Sequence, residues 1–133
     1  MQATVDTPDV MPAAFAKALE DEDLEGLASL YADEAATRTS EGRIVRGIAD
    51  IREVLKGLLA RKARFDSKVR WSVVADDAAL IIVDWTRKAT DPNGERMFYA
   101  GVSTHVLRRV PSLGWRFLIL NPNGTVGTVD PGL

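Results

Sequence analysis

The sequence predicts an α+β domain: three N-terminal helices packed on a strongly curved, mixed or antiparallel sheet that forms a cone with an internal pocket. Three observations predict it. Apolar residues recur at helical spacing as far as Ala60. From Phe65 onward the period drops to two. The strands marked in this way are apolar on both faces, so both faces need cover. The 133 residues suffice for one core and are too few for two.

Residues 1–11 have little apolar pattern and read as a loose arm. Met11, Phe15, Ala18 and Leu19 then fall on one helical face, with Pro12 in the first turn. Glu20 to Asp23 break this helix, and Asp23 caps a second one with Leu24, Leu27, Ala28 and Tyr31 inward. Ala35–Ser40 and Arg43–Arg46 form a small hairpin around Glu41-Gly42. A third helix runs near Ala49–Ala60, burying Ile51, Val54, Leu55 and Leu58. Four strands follow, separated by Asp76-Asp77, by Asp91-Pro92-Asn93-Gly94 and by Pro111–Gly114. The domain ends at Asn121, and residues 122–133 read as an irregular tail.

Composition excludes several functions. The net charge of −2 offers no basic field for a phosphate backbone, so no nucleic-acid partner is expected. There is no cysteine, which removes disulfides and thiol chemistry, and with a single histidine no metal site is expected. No phosphate-binding loop or dinucleotide fingerprint is present, so no cofactor is expected. The longest apolar run, Ala78–Val83, is far short of a membrane span, and Met1–Pro12 lacks the order of a signal peptide; a cytoplasmic protein without membrane contact is expected.

Strand phase sorts the remaining side chains. If the turns pair Ala75 with Ala78, Thr90 with Glu95 and Val110 with Trp115, one face collects Trp71, Val73, Leu80, Ile82, Asp84, Tyr99, Ser103, His105 and Leu120. Mostly apolar with sparse polar groups, that face has the character of a small-molecule pocket, with Phe15 and Tyr31 added from the helices. The other face collects Trp85, Phe98, Val102, Trp115 and Phe117. Three helices cover only one face, so this aromatic surface is expected to meet either a second copy in a homodimer or the C-terminal tail.

The run Asp23-Leu24-Glu25-Gly26-Leu27-Ala28-Ser29-Leu30-Tyr31-Ala32-Asp33-Glu34-Ala35, the glycines Gly42 and Gly47, and the ending Leu107-Arg108-Arg109 with Gly114-Trp115-Arg116-Phe117 resemble the nuclear transport factor 2-like superfamily. The similarity is to its SnoaL-like and ketosteroid-isomerase-like branches, over about Pro12 to Asn121, and it implies their cystatin-like α+β cone. This fold carries many unrelated activities. The ketosteroid isomerase pattern, a helix tyrosine and two aspartates, falls here on Phe15, Thr39 and His105, so the resemblance does not extend to steroid isomerisation.

His105 is the only histidine and either serves as acid or base near neutral pH or is a core imidazole bonded to a neighbour. Asp84, within Ile81-Ile82-Val83-Asp84-Trp85, either couples to His105 as a catalytic pair or bonds Tyr99 or Arg87 at a pocket mouth. Tyr31 donates to a ligand oxygen or packs in the core; Trp71 stacks on a ligand or fills the cone. Arg43 and Arg46 greet an anion or stay solvated. The functional expectation is a pocket for a small apolar oxygenated molecule, with or without acid/base chemistry of the isomerase, cyclase or dehydratase kind. The alternative is a non-catalytic binding or dimeric assembly module.

Overall fold

The computed structural model describes residues 5–39 and 41–124. A single 3-10 turn, Pro8–Val10, leads into α1 (Met11–Glu20) and α2 (Leu24–Ser29). The hairpin β1 (Tyr31–Arg38) and β2 (Ile44–Arg46) precedes α3 (Ile48–Ala60). Then come β3 (Arg64–Ala75), β4 (Ala78–Thr90), β5 (Arg96–Val110) and β6 (Gly114–Leu120).

The helices form where the pattern places them. α1 buries Met11 and Leu19 completely and packs Phe15 and Ala18 against the same core. The Asp23 carboxylate accepts the Gly26 N–H at 2.8 Å, satisfying one of the donors that every helix start leaves free. α3 turns Ile51 and Leu55 inward. The second helix is shorter than its apolar spacing suggests. Phe117 N–H donates to the Leu30 carbonyl at 2.8 Å, and Tyr31 pairs in parallel with Phe117, so β6 draws the chain into the sheet and Tyr31 opens β1 instead of closing α2. At the N-terminus, Val5 is buried and bridged to Gly114, and residues 1–4 of the expected arm lie outside the described residues. Of the expected tail, 122–124 are described and 125–133 lie outside. No helix among the described residues is long and apolar enough to cross a membrane.

The sheet corrects the expected cone. Its six strands run in the order β2-β1-β6-β5-β4-β3, mixed because β1 and β6 are parallel while the other pairs are antiparallel. Closure requires the two outer strands to meet through hydrogen bonds. Here β3 pairs only with β4 and β2 only with β1, so the sheet stays open, without the strong curvature of a cone. Helices pack on one face, where Ile81, Val83, Leu107, Trp115 and Phe117 form the core with the helix side chains.

Register also exchanges much of the expected face assignment. Ala75 pairs with Ala78 as read, but Thr90 pairs with Arg96 and Val110 with Gly114. At the first of the two shifted turns the Asp91 carboxylate accepts the N–H groups of Asn93 and Glu95, and Asp91 N–H donates to the Glu95 carbonyl. The loop is thereby a three-residue one with Gly94 at positive φ, the conformation glycine adopts without strain. A one-residue change of register moves a whole strand's side chains to the opposite face. Irregularities between Val69 and Trp71 and between Val106 and Leu107 shift the phase again within β3 and at β6.

The helix-covered face therefore carries Ile81, Val83, Trp85 and Arg87 opposite His105, Ser103, Gly101 and Tyr99. The open face carries Leu80, Ile82, Asp84 and Lys88 opposite Val106, Thr104, Val102 and Phe98, with Trp71 beside Ile82 and Val73 beside Leu80.

Candidate functional site

The histidine is the centre of the helix-covered face. His105 projects from β5 beside Ile81 of β4, and only 8% of it is exposed. Asn121 N–H donates to its Nδ1 at 3.1 Å. Since Nδ1 accepts, the neutral imidazole carries its proton on Nε2. Burial pushes the imidazole down to about 4, so the ring is neutral near pH 7. Among the described residues the ring makes this one hydrogen bond, and none of them accepts from Nε2–H.

One aromatic ring, Phe117, packs against it, and a chain of rings continues from there. Phe117 meets His105 edge-on at 5.3 Å and Tyr31 at 5.3 Å. Phe15 of α1 reaches Phe117 at 6.2 Å and Phe65 at 5.8 Å, and Phe65 continues to Trp85 at 5.7 Å. These spacings are those of favourable edge-to-face packing. Gly101 lies against the indole of Trp85, whose Nε1–H donates to the Pro122 carbonyl at 2.7 Å. The space under the helices is thus a packed aromatic cluster with one imidazole beside it.

The expected site residues separate. His105, Ser103, Tyr31, Leu120 and Phe15 belong to the helix side, and the Ser103 hydroxyl donates to the Val83 carbonyl. Tyr99 is on the same side near the hairpin end, under the Arg87 guanidinium at 4.4 Å. Trp71, Val73, Leu80 and Ile82, expected to line the pocket, share the open face, where Trp71 is 47% and Val73 56% exposed. Trp85, Trp115 and Phe117, expected on a dimer face, are buried on the helix side, whereas Phe98 is 64% exposed and shares the open face with Val102.

Asp84 and His105 lie on opposite faces of the sheet and form no couple. Arg70 instead donates to both Asp84 oxygens, at 3.1 and 2.5 Å. That hydrogen bonding, aided by the charge, holds the carboxyl below its ordinary range. Asp84 is therefore an ionised surface carboxylate in an ion pair, with no proton to give near neutral pH.

Two residues that sequence reasoning passed over complete the site. Asn121 was legible only as the last residue of a strand, although an asparagine before a proline is a turn signal. Phe65 read as an edge-strand residue, yet it pairs with Arg87 on the helix side and bridges Phe15 and Trp85, whereas the irregularity after Val69 sends Trp71 to the other face.

An open mixed sheet with helices on one face and a buried polar group beneath them defines an α+β scaffold of the nuclear transport factor 2-like class. The chain belongs to the SnoaL-like domain family, whose model matches residues 13–109. No curated protein matches the sequence. Similar solved structures include a ketosteroid isomerase-like protein from Erwinia carotovora atroseptica, 14% identical over 89% of this chain and 93% of that one, with a TM-score of 0.75. A conserved protein from Planctomyces limnophilus is 16% identical over 86% and 90%, with a TM-score of 0.77. An NTF2-like protein with a cystatin-like fold from Novosphingobium aromaticivorans is 17% identical over 90% and 80%, with a TM-score of 0.71. At these identities the likeness is one of fold.

Proposed function

We propose that this SnoaL-like protein binds a small, apolar, uncharged molecule bearing a carbonyl oxygen, in the cytoplasm, and that it binds without supplying a catalytic base. The observation that carries the reading is the Nε2–H of His105. It is a neutral donor beside the Phe117 ring with no acceptor among the described residues, and so is available to a ligand oxygen. A carbonyl oxygen satisfies it, while Phe15, Phe65, Trp85 and Phe117 supply apolar contact. Entry requires these rings to repack. Among the described residues no carboxylate is paired with the histidine, which favours binding over proton transfer.

The test is titration with 2-cyclohexenone and with 1-indanone, followed by the 15N resonance of His105 Nε2. Saturable movement of that resonance, abolished in Asn121→Pro protein that remains folded, supports the reading. If neither ketone moves it at saturation of solubility, the reading fails.

A second reading concerns assembly and rests on the open face. Val73, Leu80 and Ile119 lie in one row across it with Trp71 beside them, and Phe98 is exposed further along the same face, an apolar surface larger than scattered single residues provide. The favoured occupant is a second copy, because a sheet face pairs with itself about a two-fold axis and the patch is self-complementary in its apolar character. Light scattering coupled to size exclusion should give twice the chain mass of 14.5 kDa. A monomer at micromolar concentration would overturn it.

A further inference from the structure

A cavity of about 560 Å³ lies among α2, the start of β1, the start of α3 and the β5–β6 end of the sheet. Its volume is in the range of ligand sites. Three guanidinium groups line it from three different elements: Arg52 of α3, Arg108 of β5 and Arg116 of β6. Arg116 is 2% exposed, with Nη1 donating to the Trp115 carbonyl. Tyr31, nine-tenths buried, lines the same cavity, and its hydroxyl makes no hydrogen bond to any described residue.

The other two arginines are engaged by carboxylates of the lining itself. Arg52 grips Glu25 through both terminal nitrogens, at 2.6 to 2.8 Å, and Arg108 pairs with Glu34. The Glu25 and Glu34 side chains are 76% and 59% exposed, so leaving for water costs them little. Asp23 and Asp33 also line the cavity; Asp23 is committed to the Gly26 N–H.

We propose that this cavity is a binding site for a small oxyanion, a carboxylate or a phosphate, held by Arg52, Arg108 and Arg116, with Glu25 and Glu34 as built-in competitors that the anion displaces. Guanidinium forks match both oxyanions in a bidentate way. The Tyr31 hydroxyl adds a neutral donor. The site is independent of the His105 reading: it uses other residues, and its ligand is charged.

The competitor role sets an unusual sign. Neutralising an acid of the lining must tighten anion binding, and neutralising its arginine must weaken it. Calorimetric titration with inorganic phosphate and with succinate, at low ionic strength, reads both. Glu34→Gln and Glu25→Gln are expected to tighten binding, and Arg108→Gln and Tyr31→Phe to weaken it, each by about tenfold for a change near 1.4 kcal/mol. Preference for succinate or phosphate assigns the natural anion to the carboxylates or the phosphate esters. The proposal is overturned if neither anion binds saturably to wild type or to the Glu34→Gln protein. It is equally overturned if binding is unchanged in Arg108→Gln. Arg108 and Glu34 are at the surface, so thermal melts should show both variants folded.

Discussion

Asn121 donates its backbone N–H to Nδ1 of His105. The donor is held from several sides. Thr104 N–H donates to the Asn121 carbonyl at 3.0 Å, and the Asn121 side-chain amide donates to Thr104 Oγ1 and to the Gly124 carbonyl. A main-chain donor has no titration of its own, so the tautomer of His105 is set by the end of β6 and not by another acid.

The first prediction is a pH dependence of stability. The folded imidazole sits at about 4, below the ordinary histidine value of 6.5. Between these two values the unfolded chain binds more protons than the folded one, so stability rises with pH. The contribution of His105 is complete above about 6.5 and is lost as pH falls toward 4, amounting to about 3 kcal/mol at 1.36 kcal/mol per unit. Urea denaturation at a series of pH values should show this slope in wild type and a flatter one in His105→Gln.

Phe117 is the ring that Phe15, Tyr31 and His105 all touch. Phe117→Ala should cost about 3–5 kcal/mol, the usual penalty for emptying a buried aromatic site. Chemical denaturation measures it, and a loss under about 1 kcal/mol would mean that the cluster is not the core it forms here.

Gly101 has no room for a side chain. A Cβ there would stand 2.7 Å from Cζ2 of Trp85. Gly101→Ala is expected to lose about 1–3 kcal/mol through overpacking. Trp85→Phe in the same chain should restore part of that loss, since the clash is with the indole benzene ring.

Asp84→Asn breaks the pair with Arg70 on the open face. Both side chains are about half exposed, so the loss of stability should be small. Ketone binding at His105 should be unchanged, as the two groups lie on opposite faces. A matching loss of binding in Asp84→Asn would contradict the strand register.

Phe98→Ser separates a protomer effect from an interface effect. At 64% exposure, the side chain contributes within about 0.5 kcal/mol to the isolated chain. A larger fall in Tm, shrinking with dilution as wild type itself dissociates, would place Phe98 in a contact between copies.

Local pattern carried much of the fold. The apolar spacing at Met11, Phe15 and Leu19, the cap at Asp23 and the turn at Asp76-Asp77 are decided by residues within a few positions of one another. Those interactions can be read from the chain because they do not depend on distant partners. The SnoaL-like resemblance, carried by the run Asp23–Ala35 and the ending Gly114–Phe117, agrees with the family match.

By itself, then, the sequence determined the order of helices and strands, the family, and the presence of a single imidazole. Only the tertiary structure decided which side of the sheet each side chain takes, that the sheet remains open, and that Asp84 and His105 are separated by it. The reason is the two-residue period of a strand. One residue more in the loop at Asp91–Glu95, or one irregularity after Val69, reverses every side chain beyond it. Those shifts are settled by hydrogen bonds between strands, of which the linear pattern holds no record.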